Sequence, residues 1–246
     1  MQMKKHQHIA TSLIGLILSQ SNALSQNLTG TWLGAASPYA VLGATTVTNT
    51  GNSVITGDLG LSPGTSITGF PPGLVSGAIH TNDASASQAR ADALLAYNGL
   101  TALMATGDLS GQDLGQTLTA GIYRYNGSAE LTGTLTLDGT GEFIFLIGST
   151  LTTSSASAVS LINGADAANV AFRVGSSATL GSTSTFAGTI IADISITATT
   201  GTDVRGRLIA LNGAVTLDNN NVIVPEPSSA ILLLTGLGFL LTRRRA

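Results

Sequence analysis

The sequence predicts a mainly β fold: a discontinuous β-solenoid of triangular cross-section, with one long α-helix packed alongside. Three observations support this prediction. Similar strand-like segments recur every 18 or 19 residues between positions 176 and 221. One helical stretch interrupts the strand-like sequence. The composition is poor in charge (9%) and rich in glycine (30 residues), while valine, isoleucine and leucine remain plentiful and periodic, which excludes disorder.

The repeat is clearest in its threonines. Thr179, Thr197 and Thr216 follow one another at steps of 18 and 19 residues, within the segments SATL, SITA and AVTL. Upstream, residues 143–152 align without gaps on residues 170–179, an offset of 27. A short repeat of this kind cannot bury its apolar side alone, so we expect the repeats to stack as coils.

Each coil has room for three short strands, which we place at residues 189–192, 195–200 and 202–206 in the clearest coil. Side chains alternate along a strand. If Ile196 points inwards, Ser195 and Thr197 point outwards. The same alternation places Leu151, Ala178 and Val215 inside the coils.

The outward side chains form a predicted ladder that carries one threonine per coil. Thr134 and Thr136 show the same alternation, so we expect them to add a further rung. A solvent-facing strand rich in threonine needs no function to explain it, because threonine favours strands. Four rungs in phase, with almost no charge among them, favour a binding face. Its central column is Thr152, Thr179, Thr197 and Thr216, with Ser155, Ser182, Thr200 and Asn219 beside it and Thr150, Ser177 and Ser195 preceding it.

The helix is predicted over residues 82–106, because apolar residues recur there at helical spacing. Asn82 or Asp83 can cap its start, and Gly107 can cap its end. Its expected dock is a set of strands that are apolar at consecutive positions, as strands covered on both sides are. The stripe comprises Ala86, Ala89, Ala93, Tyr97, Leu100 and Met104; the dock comprises residues 143–147, 170–174, 190–192 and 208–211.

Both ends of the chain read as targeting segments. Residues 1–25 combine Lys4 and Lys5, an apolar run and a small-residue cleavage site, as in a secretory signal peptide. The domain is therefore expected over residues 26–224. Residues 225–246 hold a Pro-Glu-Pro motif, an apolar run at 230–241 that is short for a membrane-spanning helix, and three arginines.

This tail resembles the PEP-CTERM sorting signal of Gram-negative bacteria. The matching residues are Pro225, Glu226, Pro227, Arg243, Arg244 and Arg245. The resemblance implies removal of the tail by an exosortase-type protease after transient anchoring in the inner membrane. We expect a secreted or surface-matrix product. An ordinary C-terminal anchor predicts the same membrane step without release.

Several classes of function are excluded or disfavoured. Residues 26–224 contain five arginines and twelve acidic residues, a net charge of −7, which argues against nucleic acid as a partner. Cysteine is absent, and after signal removal only His80 remains as a histidine, so no zinc site is expected. Asp193, Asp203, Arg205 and Arg207 are disfavoured as an active site. We therefore expect neither catalysis nor a cofactor.

The order of elements and several phrases resemble the microbial ice-binding family. The phrases include AVLGATTVTNTG, ITGDLGLSPG, TAGIYRY, FIFLIGSTL, SITATTG and GAVTLDNN. The resemblance implies a discontinuous β-solenoid with a parallel helix and one flat face that adsorbs to ice. The family's loose Thr-Ala/Gly-x-Thr/Asn pattern is matched fully at 197–200 and in part at 152–155, 179–182 and 216–219. It implies thermal hysteresis and inhibition of ice recrystallisation, and we expect a monomer.

An adhesin of the extracellular matrix, binding exopolysaccharide or cells, is the alternative, and the sorting tail motivates it. Sugar sites usually present aromatic platforms. The single tryptophan, Trp32, lies outside the repeats. Extracellular polysaccharide therefore remains a second candidate partner.

Overall fold

The computed structural model describes Leu28 and residues 32–225. The predicted signal peptide and the sorting residues Glu226, Pro227 and Arg243 to Arg245 lie outside the described residues, whereas Pro225 lies within them. No helix in the described part of the chain is long and apolar enough to cross a membrane.

The described chain is mainly β with one α-helix, α1, at Ala84–Thr101. Two 3-10 turns, Gly34–Ala36 and Ala167–Asn169, join longer elements. The strands are β1 Tyr39–Gly43, β2 Thr46–Thr50, β3 Val54–Thr56, β4 Asp58–Leu61, β5 Ser66–Thr68, β6 Leu74–Val75, β7 Ile79–Thr81, β8 Gly107–Asp108, β9 Thr117–Tyr125, β10 Ala129–Leu131, β11 Thr134–Ile147, β12 Leu151–Thr153, β13 Ala158–Ile162, β14 Val170–Val174, β15 Ala178–Leu180, β16 Thr185–Ala192, β17 Ile196–Ala198, β18 Asp203–Ala210, β19 Val215–Asp218 and β20 Asn221–Ile223.

The paired strands run parallel and form three rows. The first row, in spatial order, is β10-β12-β15-β17-β19-β2-β5. The second row lies beneath α1 and contains β8-β9-β11-β14-β16-β18-β1-β4-β7. The third row contains β9-β11-β13-β16-β18-β20-β3-β6. The long strands β9, β11, β16 and β18 contribute one half to the second row and the other half to the third.

This sharing corrects the predicted strand limits. The segment expected at 189–192 is part of the eight-residue strand β16, and all but the first residue of the segment expected at 202–206 belongs to the eight-residue strand β18. The strand expected at 195–200 is shorter, at Ile196–Ala198. Strands β16 and β18 pass from the third row to the second at Gly188 and Gly206, which pair with each other. Gly188 has φ of +124°, and a Cβ on Gly206 would lie 1.8 Å from the Gly188 carbonyl oxygen. Only glycine allows the two backbones to approach this closely.

The register confirms the repeat lengths read from the sequence. Phe143 pairs with Val170, an offset of 27. Phe186 pairs with Val204, an offset of 18, and Ile196 pairs with Val215, an offset of 19. The strands are interrupted as expected, and β1, β2 and β3 stack on the C-terminal strands β18, β19 and β20.

Inward side chains form one continuous core between the rows. Its aromatic spine crosses four neighbouring strands. Tyr123, Phe145 and Phe172 are register partners, whereas Phe186 contacts Phe172 from another position of β16, because the register partner of Phe172 there is Ile190. Phe145 and Phe172 have ring centroids 4.6 Å apart at an interplanar angle of 10°. Tyr123 stacks on Phe145, and the Phe186 ring contacts Phe172 at an interplanar angle of 51°.

Helix α1 covers the second row, as predicted. Its buried residues Ala89, Ala93 and Tyr97 share a second apolar cluster with the outward residues of that row, which include Leu42, Ile144, Ala171, Ile191 and Ile209. Eighteen residues span about 27 Å at about 1.5 Å per residue. That length lies across several strands spaced about 4.8 Å apart.

The start of α1 agrees with the prediction, whereas its end does not. Asp83 caps the start, and its carboxylate accepts a hydrogen bond from the Ala86 amide at 2.8 Å. The helix ends at Thr101 rather than near residue 106. Gly107 therefore begins β8 instead of capping the helix, and Met104 is 85% exposed instead of extending the stripe.

Candidate functional site

The first row of strands carries a single file of outward threonines. Thr152 pairs with Thr179, Thr179 with Thr197, and Thr197 with Thr216. Strand neighbours lie about 4.8 Å apart, so the four side chains form a regular column. We call the outward side of this row the ladder face.

Burial follows the predicted alternation along these strands. Leu151, Ala178, Ile196 and Val215 are at most 1% exposed and belong to the core. Their neighbours Thr152, Thr179 and Thr216 are exposed, and Thr197 is half-buried. Each of these apolar residues directly precedes a threonine and points into the core. They thus anchor each strand and fix the plane of the face.

Two threonines extend the column beyond the predicted set. Thr216 pairs with Thr48 of β2, and Thr48 pairs with Thr68 of β5. The sequence contained a signal for Thr68, because Ser66-Ile67-Thr68 repeats the letters of Ser195-Ile196-Thr197. At the opposite end, Thr152 pairs with Glu130 of β10. The column therefore holds six consecutive threonines and ends on a carboxylate.

A second column lies two residues before the first. It contains the predicted residues Thr150, Ser177 and Ser195. The Thr150 hydroxyl donates to the Ser128 Oγ at 2.8 Å, and the Ser177 Oγ accepts from the Ser195 amide at 3.3 Å. At the far end, Thr46 pairs with Ser66. Hydroxyl groups thus lie beside most rungs of the central column, with a gap at Ala214, which stands two residues before Thr216.

The four residues predicted on the other side lie in the turns that follow the strands. The Ser182 hydroxyl donates to Thr199 Oγ1 at 3.2 Å, and the Thr200 hydroxyl donates to Asp218. Asn219 has φ of +50° and accepts a hydrogen bond from the Asn52 amide at 2.9 Å. These side chains, with exposed Ser155, lie beside the ladder face where the chain leaves the first row.

One predicted rung belongs to another row. Thr134 and Thr136 lie in β11 and pair with Ala158 and Ser160 of β13, in the third row. The alternation of side chains was read correctly, but it recurs in every row of strands and does not identify the row. The rung of this coil on the ladder face is Glu130.

The ladder face is nearly uncharged. Its strands contribute Glu130 at one end and Asp218 near the corner, and no lysine or arginine. Outward residues two positions apart along a strand are separated by about 6.7 Å. The face is therefore a rectangular array of hydroxyl and methyl groups, with spacings of about 4.8 and 6.7 Å.

Four polar residues away from the ladder face, His80, Asp193, Asp203 and Arg207, have structural partners. His80 Nδ1 lies 2.7 Å from Asp83 Oδ2, next to the helix start. Asp203 accepts from Asn221 at 2.8 Å, and Asp193 accepts from Asn212 at 2.9 Å. Buried Arg207 donates to the Ser37 carbonyl, and burial lowers the pKa of this guanidinium to about 10. Within residue 28 and residues 32–225, no group of three histidine, cysteine or acidic residues could hold a metal ion.

Parallel stacked strands, one covering helix and a flat file of threonines define a class of β-protein with a repetitive polar face. Residues 41–223 match the model of the ice-binding-like family. The chain belongs to this family.

Relatives by sequence span most of the chain. An ice-binding protein from Nostoc sp. (strain HG1) is 52% identical over 220 residues, covering 82% of this chain and 81% of its own. An ice-binding protein from Flavobacterium frigoris is 33% identical, covering 79% of this chain and 76% of its own.

A similar fold occurs in the crystal structure of an ice-binding protein from the Antarctic ascomycete Antarctomyces psychrotrophicus. Its TM-score is 0.78 at 46% sequence identity, and the match covers 81% of this chain and 100% of that chain.

Proposed function

We propose that this protein binds ice through the ladder face of a discontinuous β-solenoid with triangular cross-section. The observation that carries the proposal is the register of Thr152, Thr179, Thr197, Thr216, Thr48 and Thr68 in one column. Family membership and the ice-binding relatives support it. Adsorption to a growing crystal gives thermal hysteresis and inhibits recrystallisation, without catalysis or a cofactor.

The mechanism rests on a face that is ordered before it meets ice. Threonine is restricted about χ1, so its methyl and hydroxyl groups occupy nearly fixed points. The buried residues next to the threonines in each strand hold the strands in place. Little conformational entropy is therefore lost on docking, and the array can order water in a layer that merges with the crystal.

The ladder face favours ice over a charged or sugar-like ligand. It combines a regular array with almost no charge and no aromatic side chain in its central column. Charged ligands would need complementary charges, and sugars would need stacking surfaces. A matrix adhesin is therefore the alternative function. Strong hits in a glycan-binding screen, together with negative ice assays, would favour it.

The central rung provides the decisive test. Replacing Thr197 with tyrosine places a bulky ring in the middle of the face, so we expect thermal hysteresis to fall at least several-fold. Thr185→Tyr is the matched control, because Thr185 is an exposed strand residue of the third row. Circular dichroism should be unchanged in both variants. Full activity in folded Thr197→Tyr would remove ice binding from this face.

We further propose that the domain acts outside the cell as a monomer. The predicted signal peptide and the resemblance of the tail to a PEP-CTERM signal support this location. An exosortase-type protease would then be its processing partner. Secretion would place the ladder face where ice forms.

A further inference from the structure

A groove of about 600 Å³ lies on the third row of strands, away from the ladder face. Its apolar wall is formed by Val54, Ile223 and Val224, and its charged residues are Asp203 and Arg205. Pro225, the last described residue, also lines it. Nothing in the ice-binding proposal uses this groove.

Much of the apolar wall is exposed to solvent. Val54 is 38% exposed and Ile223 is 47% exposed, on the neighbouring strands β3 and β20. Leu74, one strand further on in β6, is 64% exposed. Neighbouring exposed apolar residues on one surface make it a candidate for contact with another segment or molecule.

The chain itself leaves the fold at this groove. The Val224 amide donates to the Thr56 carbonyl at 3.0 Å, which continues the pairing of β20 with β3. Pro225 is buried where it lines the groove. The residues that follow, 226–246, therefore start from the groove wall.

The charges at the groove favour a carboxylate close to the start of that segment. Arg205 is exposed, and the ion pairs between described residues, His80–Asp83 and Arg124–Asp108, leave it without a carboxylate. Asp203, two residues before Arg205 in β18, accepts a hydrogen bond from the Asn221 side-chain amide. Glu226 is the first carboxylate beyond Pro225.

We propose that the groove binds residues 226–229 of this chain, with the Glu226 carboxylate paired with the Arg205 guanidinium. Pro227 then covers part of the exposed Val54 and Ile223 surface. Two of the three residues of the Pro-Glu-Pro motif are thereby held against the domain. This consequence rests on the processing proposed above: a protease would have to displace these residues from the groove before it cut next to them.

The test uses the absence of cysteine from the chain. The full chain, with its tail verified by intact mass, receives the pair Val54→Cys and Ser228→Cys and is oxidised mildly. We expect an intramolecular disulfide. The control pair is Ser76→Cys with Ser228→Cys. Ser76 lies outside the groove but close to the end of β3, because the Gly57 amide donates to Ser76 Oγ at 3.2 Å. The control pair should cross-link several-fold more slowly.

A charge exchange then isolates the ion pair. Arg205→Glu should slow the Val54–Ser228 cross-link at least about five-fold, and the double change Arg205→Glu with Glu226→Arg should restore it. Arg124→Glu is the control for a lost surface arginine. Equal cross-linking at Val54 and Ser76, or no effect of Arg205→Glu, would overturn the proposal. A disulfide between two chains would overturn it in favour of a second copy in the groove.

Discussion

Thr216 and Thr48 occupy neighbouring rungs of one parallel sheet, although most of the domain separates them in sequence. The pairing joins the last coil of the C-terminal part to the first coil of the N-terminal part. It makes the ladder face longer by two threonines than the repeats alone predict. The face that we propose to bind ice therefore depends on both halves of the chain.

The N-terminal rungs should contribute to ice binding. We expect Thr48→Tyr to lower thermal hysteresis several-fold, because Thr48 lies in the column between Thr216 and Thr68. Thermal hysteresis and circular dichroism would be measured together, with Thr185→Tyr as the control. If Thr48→Tyr were folded and fully active, the binding face would be confined to the C-terminal coils.

The aromatic spine should dominate the stability of the core. Phe172 is fully buried between Phe145 and Phe186. Phe172→Ala removes its ring and leaves a cavity, so the free energy of unfolding should fall by about 3–5 kcal/mol. Urea denaturation checks this value. The control Leu95→Ala, at a residue that is 70% exposed, should change it by less than about 0.5 kcal/mol. A similar loss in both variants would contradict the assigned role of the spine.

The Tyr125 hydroxyl should make unfolding sensitive to alkaline pH. It is buried, and among the described residues it has no hydrogen-bond partner. Burial, aided by the charge of Asp113, raises the pKa of Tyr125 from 10.0 to about 12. As pH rises from 10 towards 12, the unfolded chain loses this proton while the folded chain keeps it, so stability falls.

Tyr125→Phe tests both consequences. At neutral pH it should be neutral or slightly stabilising, because it removes an unpaired buried hydroxyl. Above pH 10 the urea midpoint should fall less steeply than in the parent protein. Tyr123→Phe is the control, because the Tyr123 hydroxyl donates to the Thr119 carbonyl at 2.7 Å. An unchanged alkaline slope in Tyr125→Phe would show that another group controls it.

The tail should be absent from the mature protein. The apolar run at 230–241 reaches only about 18 Å as a helix, against a hydrocarbon core of about 30 Å. We expect a product of about residue 26 to residues 224–227. Intact-mass measurement on protein from the native host decides this. A mass that includes Arg243 to Ala246 would identify the tail as a lasting anchor.

Local features of the fold were predictable because they depend on neighbours in sequence. The offsets of 18, 19 and 27 residues match the observed register, since parallel strands at equivalent positions of successive coils must be spaced by one coil length. The alternation around Ile196 and Val215 followed from the two-residue period of a strand. The Asp83 cap and the buried helix stripe through Ala89, Ala93 and Tyr97 followed from helix geometry.

Other features were decided by contacts between distant segments. Alternation recurs in all three rows of strands, so only the pairing of β11 with β13 places Thr134 and Thr136 in the third row. Helix α1 stops at Thr101 because the chain must return to the sheet, where the Thr106 amide donates to the Ile122 carbonyl and Gly107 pairs with Tyr123. Thr48 and Thr68 join the ladder face because β2 stacks on β19, and hydrogen bonds between segments so distant in sequence form only when the tertiary fold brings them together.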